Sequence, residues 1–184
     1  VVQPDTEKIV AYLIPAICVP KGNPKGIRSL DDLAKPGVRV GFARPDTVCV
    51  GLYGAEILER QGLAEQVKKN ITVYAESCEK TAALVALGQV DAVMGWDVFA
   101  AWEPDKVAAV PLQPSQIPRI GYIPAAVSTF TTAKDLARQF VDYLASDQGR
   151  QIFARYGYIT DQARAQEMAP QASVGGDYEL KTEW

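Results

Sequence analysis

Residues 38–95 read VRVGFARPDTVCVGLYGAEILERQGLAEQVKKNITVYAESCEKTAALVALGQVDAVMG, and this stretch decides the fold. Residues 38–42 form a short, mostly apolar run that predicts a buried strand. Through residues 49–61 apolar side chains recur at helical spacing (Val50, Tyr53, Ile57, Leu58), and Gly62 stands where a C-terminal cap belongs. Residues 71–74 predict a second strand. Residues 77–87 predict a helix with Leu84 and Leu87 on one face, closed by Gly88, and residues 91–95 a third strand. Strand, helix, strand, helix, strand with short loops argues for a parallel or mixed sheet covered by helices, an α/β lobe.

Working outward, residues 9–19 are apolar and read as one strand, followed by the turn cluster Pro20-Lys21-Gly22-Asn23-Pro24-Lys25-Gly26. Ser29-Leu30-Asp31-Asp32 carries a capping-box-like start for a short helix that Pro36-Gly37 ends. Downstream, residues 97–102 predict a helical turn and residues 107–112 an extended segment. Residues 117–127 are extended and interrupted by Pro118 and Pro124, which suits an edge strand or a crossing between lobes. Residues 133–145 and 149–156 predict amphipathic helices with Leu136, Phe140, Tyr143 and Leu144 on one face, and beyond Met168 the chain is turn-rich. Phe140, Tyr143 and Tyr156-Gly157-Tyr158 read as core and turn. The last helices and the first strand flank the middle lobe but lack a sheet of their own, so the chain is expected to need a partner lobe.

Composition narrows the function. Apolar residues are 48% of 184, enough for a core, and 22 acidic against 19 basic residues leave a net charge of −3. That balance gives no electrostatic footprint for nucleic acid. The longest apolar run, residues 14–20, is broken by Pro15 and Pro20 and falls well short of a membrane span. The first residue is Val1, so the sequence reads as a processed, trimmed or partial chain. Histidine is absent, which removes Ser-His-Asp and Cys-His catalysis from this chain. No paired acid/base constellation is visible, no cofactor is implied, and an enzyme is not expected. Three cysteines, Cys18, Cys49 and Cys78, are too few and too widely spaced for a disulfide framework or a zinc knuckle.

Val19-Pro20-Lys21-Gly22-Asn23-Pro24, residues 29–38 (Ser-Leu-Asp-Asp-Leu-Ala-Lys-Pro-Gly-Val), Val50-Gly51-Leu52-Tyr53, Leu87-Gly88-Gln89-Val90-Asp91-Ala92, Tyr122-Ile123-Pro124-Ala125-Ala126-Val127 and Ile152-Phe153-Ala154-Arg155-Tyr156-Gly157-Tyr158 run in order along the chain. This ordered set resembles the molybdate/tungstate-binding proteins of ABC importers, class II solute-binding proteins. The resemblance implies an α/β, periplasmic-binding-protein-like fold of two lobes joined by hinge strands, with ligand in the cleft. It implies residues 1–25 as hinge strand and crossing segment, 26–117 as a complete ligand-binding lobe, 118–160 as the return crossing and C-terminal helices packing on the other lobe, and 161–184 as a tail. One lobe is then incomplete, because family members carry a further half-lobe, with two serine-containing anion loops, ahead of the position of Val1. It also implies a periplasmic, or extracellular and membrane-anchored, location, a small inorganic anion as ligand and a membrane permease as partner.

Helix N-termini point free backbone N–H groups at one spot and bind anions. By position, the helix starts at Thr47-Val48-Cys49-Val50 and Glu76-Ser77-Cys78-Glu79 match the family's anion loops in this lobe, with Val50 and Cys78 at the contact points; Trp96 matches a tyrosine whose hydroxyl meets the oxyanion. The expected ligand-binding residues are therefore Thr47, Cys49, Val50, Ser77, Cys78 and Trp96. Three readings of the cysteines stay open: small buried residues, a Cys49–Cys78 disulfide, or three converging thiolates (Cys18, Cys49, Cys78) holding a thiophilic ion such as arsenite. A ligand-sensing domain of a transcription regulator shares the same two-lobed fold and is the alternative to an import receptor.

Overall fold

A computed structural model describes residues 1–184. The first apolar segment, expected as one strand, divides at Ile14 into β1 (Lys8–Leu13) and β2 (Pro15–Pro20), and the two halves enter different sheets. Asp97 pins the break. Its backbone N–H donates to the Ile14 carbonyl at 2.9 Å, and its Oδ1 accepts from the Ile14 N–H at 3.3 Å. Burial raises the Asp97 carboxyl above its ordinary range, although the amides of Ile14 and Val98 pull it the other way.

The region after β2 follows the expected alternation. It runs α1 (Leu30–Leu33), β3 (Val40–Ala43), α2 (Cys49–Arg60), α3 (Ala64–Lys68), β4 (Ile71–Ala75), α4 (Cys78–Ala86), β5 (Ala92–Trp96), α5 (Phe99–Trp102) and β6 (Val107–Pro111). The five strands form a mixed sheet in the order β4-β3-β5-β2-β6. β3 runs parallel to β4 and β5, and β2 antiparallel to β5 and β6. Side chains alternate between two cores, as the two-residue strand period demands. Ile17, Val19, Phe42 and Met94 pack with Ile57 and Leu58 of α2 on one face. Cys18, Ala43 and Val93 pack with Val85 of α4 and Phe99 of α5 on the other. Both faces are covered, so β5 is buried at all five positions. At the start of α1 the Asp32 carboxylate accepts from the Ser29 N–H at 3.0 Å, and Gly62 and Gly88 close α2 and α4 with φ of +69° and +65°. A short helix not expected from the sequence, α3, fits between Gly62 and β4.

The remaining residues build a second, smaller sheet. β7 (Arg119–Ala125) lies between β1, to which it is antiparallel, and β8 (Ser173–Val174), to which it is parallel. α6 (Lys134–Ala145) and α7 (Asp147–Arg155) pack against β1, and α8 (Gln162–Met168) follows. The face of α6 expected to be core is instead open: Leu136 is 67% exposed, Phe140 59% and Tyr143 43%. Tyr156 is also exposed, whereas Tyr158 is half-buried against Phe153 and Trp102. One helix side against β1 cannot also bury the opposite stripe, so that stripe stays bare within these residues.

α2 ties the two sheets together. Glu56 is buried and accepts from Arg60 at 2.9 Å and from the buried Arg119 of β7 at 2.5 Å. The Arg119 guanidinium also lies 4.2 Å over the Tyr53 ring. The last residues wrap onto the far end of α2. The Glu59 carboxylate accepts from the Trp184 indole (2.8 Å), the Tyr178 hydroxyl (2.7 Å) and the amides of Lys181 and Thr182, while the Trp184 ring stacks on Phe42 at 4.8 Å. Partial burial would raise the Glu59 carboxyl, but these donors, the Trp184 indole foremost, hold it down to about 2. A depressed carboxyl contributes stability that is present above its unfolded pKa and lost as pH falls through the folded value. Glu59→Gln is therefore expected to flatten the loss of stability between about pH 4.5 and 2. Glu59→Ala, which strands the tail's donors, is expected to cost about 1–3 kcal/mol at pH 7 in urea unfolding. An unchanged acid profile in Glu59→Gln would show that the tail does not depend on this carboxylate.

Candidate functional site

Three parallel strands end at the same edge of the main sheet, and the candidate residues stand at their C-terminal ends. β3 leads through residues 44–48 into α2, β4 leads through Glu76 and Ser77 into α4, and β5 ends on Trp96. In open α/β sheets this edge is where ligands are held.

The two helix starts differ in how their amides are used. Val48 caps α2 with extended backbone (φ −125°, ψ 121°), and its side chain offers no acceptor to the first turn. Valine is among the poorest N-caps, so the free N–H groups of Cys49 and Val50 are left for another acceptor. Gly51 fixes the approach: a Cβ there would overlap the Ala43 carbonyl, so only glycine lets the first turn of α2 lie against the end of β3. At α4 the Ser77 side chain accepts from the Lys80 N–H at 3.1 Å, and the Glu79 carboxylate takes its own N–H and the Ser77 hydroxyl. That leaves the Cys78 N–H as the open donor of α4. Thr47 is exposed and its amide is spent on the Arg44 carbonyl at 3.3 Å, so Thr47 serves the turn into α2.

Cys49 is exposed, Cys78 is half-buried, and their sulfurs lie 4.0 Å apart. The Cys49 thiol is lowered to about 7, first by the hydrogen bond it shares with Cys78 and then by the Val50 N–H and its own N–H, against the opposing effect of burial. Cys78 is raised correspondingly, by holding the shared proton and by burial. Of the charged side chains around the two starts, Glu76 pairs with Lys80 at 2.9 Å and Arg44 with Asp46 at 3.4 Å, whereas Glu79 has no cationic partner.

Trp96 is 2% exposed and its Nε1 has no hydrogen-bond acceptor. The indole N–H is nonetheless close enough to the Cys78 sulfur to favour its thiolate. Gly121 of β7 permits the ring, since a Cβ there would stand 2.8 Å from it, and Tyr53 packs edge-on at 5.0 Å. Across Tyr53, Arg119 Nη2 is a second buried donor without a partner. A buried donor without an acceptor costs about 1–3 kcal/mol, so orphaned donors beside open helix starts mark a place for an acceptor-rich ligand. From the sequence Tyr53 belongs to the apolar face of α2 and to the Val50–Tyr53 match, with no role at the site, and Arg119 lies in no quoted stretch; only the fold brings the two side chains together next to Trp96.

Of the three open readings of the cysteines, the convergence of three thiolates is not found. Cys18 is buried on β2, its thiol donates to the Trp96 carbonyl at 3.3 Å, and burial followed by the Asp97 charge pushes it well above the ordinary thiol range. No group of three or more His, Cys, Asp or Glu is placed to hold a metal ion. β2 alternates its side chains between the two faces of a covered sheet, and Cys18 points into the α4–α5 core.

Known proteins resemble this chain along most of its length. The family of bacterial extracellular solute-binding proteins matches residues 1–159. A sulfate-binding protein of Synechococcus elongatus is 28% identical over 170 residues, 82% of this chain and 47% of its own length. The molybdate-binding protein ModA of Mycobacterium tuberculosis is 31% identical over 139 residues, covering 74% of this chain and 50% of its own. The chain thus spans about half the length of these curated relatives. Among solved structures, the sulfate-binding protein SubI of Mycobacterium tuberculosis superposes with a TM-score of 0.70 at 19% identity, over 90% of this chain and 64% of that one.

The thiol environments make a direct prediction. Iodoacetamide is expected to modify Cys49 first, with a rate that climbs through a midpoint at about 7, while Cys18 reacts only on unfolding. Peptide mapping after short exposures at several pH values reads this out. Equal labelling of Cys18 in the folded protein would contradict the described burial.

Proposed function

Because the chain belongs to the bacterial extracellular solute-binding proteins, with their class II periplasmic-binding-protein fold, we propose that it captures a small oxyanion of the molybdate, tungstate or sulfate kind. In this reading it delivers the anion to the permease of an ABC importer, outside the cytoplasm. No helix is long and apolar enough to cross a membrane, and the chemistry is recognition, with no bond made or broken.

The observation that carries the reading is the meeting of open donors at one edge. The amides of Cys49 and Val50, the amide of Cys78 and the unpaired Trp96 indole all donate and none accepts. A tetrahedral oxyanion is acceptor-only and suits such a set, with the positive ends of α2 and α4 supplying the field. Cys49, Val50, Cys78 and Trp96 are the proposed contacts, and Ser77 orders the start of α4. Nearby cations are already paired, so dipoles rather than ionic partners hold the anion, which suits reversible capture. Residues 26–117 together with β2, which pairs between β5 and β6, act as one lobe, the rest of residues 1–25 and residues 118–160 carry the crossings, and hinge closure about Ile14 encloses the ligand against an opposing lobe. The likeness to both sulfate- and molybdate-binding relatives supports the oxyanion class rather than one ion.

Thermal unfolding at pH 6 with molybdate, tungstate, sulfate, phosphate and a buffer blank tests this. An anion at a hundred times its dissociation constant adds about 2.7 kcal/mol, a rise of several degrees at this size. Val50→Pro deletes one donor where the first helical turn tolerates proline, and Trp96→Phe deletes the indole N–H. Each is expected to weaken binding about tenfold or more. Stabilisation by no oxyanion, or full affinity in both variants, would sink the reading.

A further inference from the structure

Two of the three thiols, Cys49 and Cys78, meet inside the proposed anion site. Cys49 and Cys78 each occupy the first helical position of a helix, with sulfurs 4.0 Å apart. A disulfide needs about 2.05 Å, so the pair closes by a side-chain adjustment of roughly 2 Å. The donors that face the Cys49 sulfur are the N–H groups of Val50 and Cys49 itself. These are the amides assigned above to the ligand. A thiolate at Cys49 is thus an anion already seated on the ligand's donors.

We propose that Cys49 and Cys78 form a reversible disulfide that turns the anion site on, because the reduced pair places a competing thiolate on the same amides. The proposal rests on the oxyanion reading. With Cys49 lowered to about 7, the reduced protein carries this internal competitor at and above neutral pH. The groups facing it are Cys78 and Glu79 of α4 and Tyr53 of α2, with Glu56, Arg119 and Tyr122 lying beyond Tyr53; Trp96, Tyr158 and Glu79 face Cys78. The Glu79 carboxyl is held below the usual range, so it is charged throughout pH 6 to 8.5 and does not itself produce a change there.

The oxidant is a disulfide, either a small molecule or an oxidoreductase. The Cys49 thiolate attacks one donor sulfur and expels the other as a thiolate, leaving a mixed disulfide. Cys78 loses its proton to solvent and attacks the Cys49 sulfur, and the second donor sulfur leaves as a thiolate. Two protein thiols are oxidised to one disulfide, and the donor is reduced to two thiols. Cys18, buried and bonded to the Trp96 carbonyl, takes no part. The product has no charge at Cys49 and releases its amides to the ligand.

The test titrates the intact protein with sulfate and with molybdate by calorimetry at pH 6 and pH 8.5. One sample is kept in a phosphine reductant and the other is oxidised with glutathione disulfide and freed of excess. Thiol counting and peptide mapping should give one free thiol, Cys18, after oxidation. The reduced protein should bind about 30-fold more weakly at pH 8.5 than at pH 6, as the thiolate fraction removes competent molecules. The oxidised protein should bind equally at both. Cys49→Ser should lose the pH dependence in reductant. Three free thiols after oxidation would overturn the disulfide. Weaker binding after oxidation, or a reduced protein indifferent to pH, would overturn the switch while leaving the oxyanion reading intact. No binding by either form at pH 6 would overturn the oxyanion reading and the switch with it, whatever the thiol count.

Discussion

The parallel pairing of β3 with β4 is the constraint on which the site depends. Two parallel neighbours each followed directly by a helix must send both helices off from the same end of the sheet. That alone sets the starts of α2 and α4 side by side and leaves Cys49 and Cys78 in contact. β5, parallel to β3 on its other side, delivers Trp96 to the same edge. The cores on both faces make the arrangement rigid, since neither helix can slide without exposing Ile57 and Leu58 or Val85. Gly51 and the Glu56–Arg119 pair then fix α2 in depth and angle.

Under the proposed function, recognition by backbone dipoles has a consequence for affinity. Fully ionic sites hold their ligands against a large desolvation cost, whereas amides at helix starts lose little when water replaces the anion. A carrier that must release its cargo benefits from donors of this kind. The same amides donate to any nearby negative charge, and the proposed competitor is the Cys49 thiolate, to which the N–H groups of Val50 and Cys49 donate. The site and its competitor are therefore consequences of one geometry: a cysteine at the first position of an uncapped helix, facing another cysteine across a parallel strand pair.

Much of this was legible in the sequence because local rules and global fold agreed. The alternation over residues 38–95, Gly62, Gly88 and Ser77 each marked the boundary that the structure shows. The positions at the helix starts were also legible, since they follow from where the helices begin. What escaped depended on long-range contacts. Residues 9–19 read as one strand despite Pro15, which in the structure opens β2, and the Asp97 clasp, 83 residues away, fixes the break at Ile14. Cys18 differs from Cys49 and Cys78 in lying within the central strand β2, with its side chain turned into the core, whereas the other two open helices at the sheet edge. The tail reads as turns, yet Trp184 stacks on Phe42 and its indole N–H donates to Glu59. Phe140 and Tyr143 read as core by periodicity, but periodicity reports a face and not what covers it.

Amide and indole resonances report most directly on whether this edge binds an anion. In 15N-labelled protein at pH 6, added sulfate or molybdate should shift the N–H signals of Cys49, Val50 and Cys78 and the Trp96 Nε1–H together, saturating on one binding curve. Saturable shifts confined to other parts of the chain, or none at these four groups, would contradict the assignment of the site to the starts of α2 and α4.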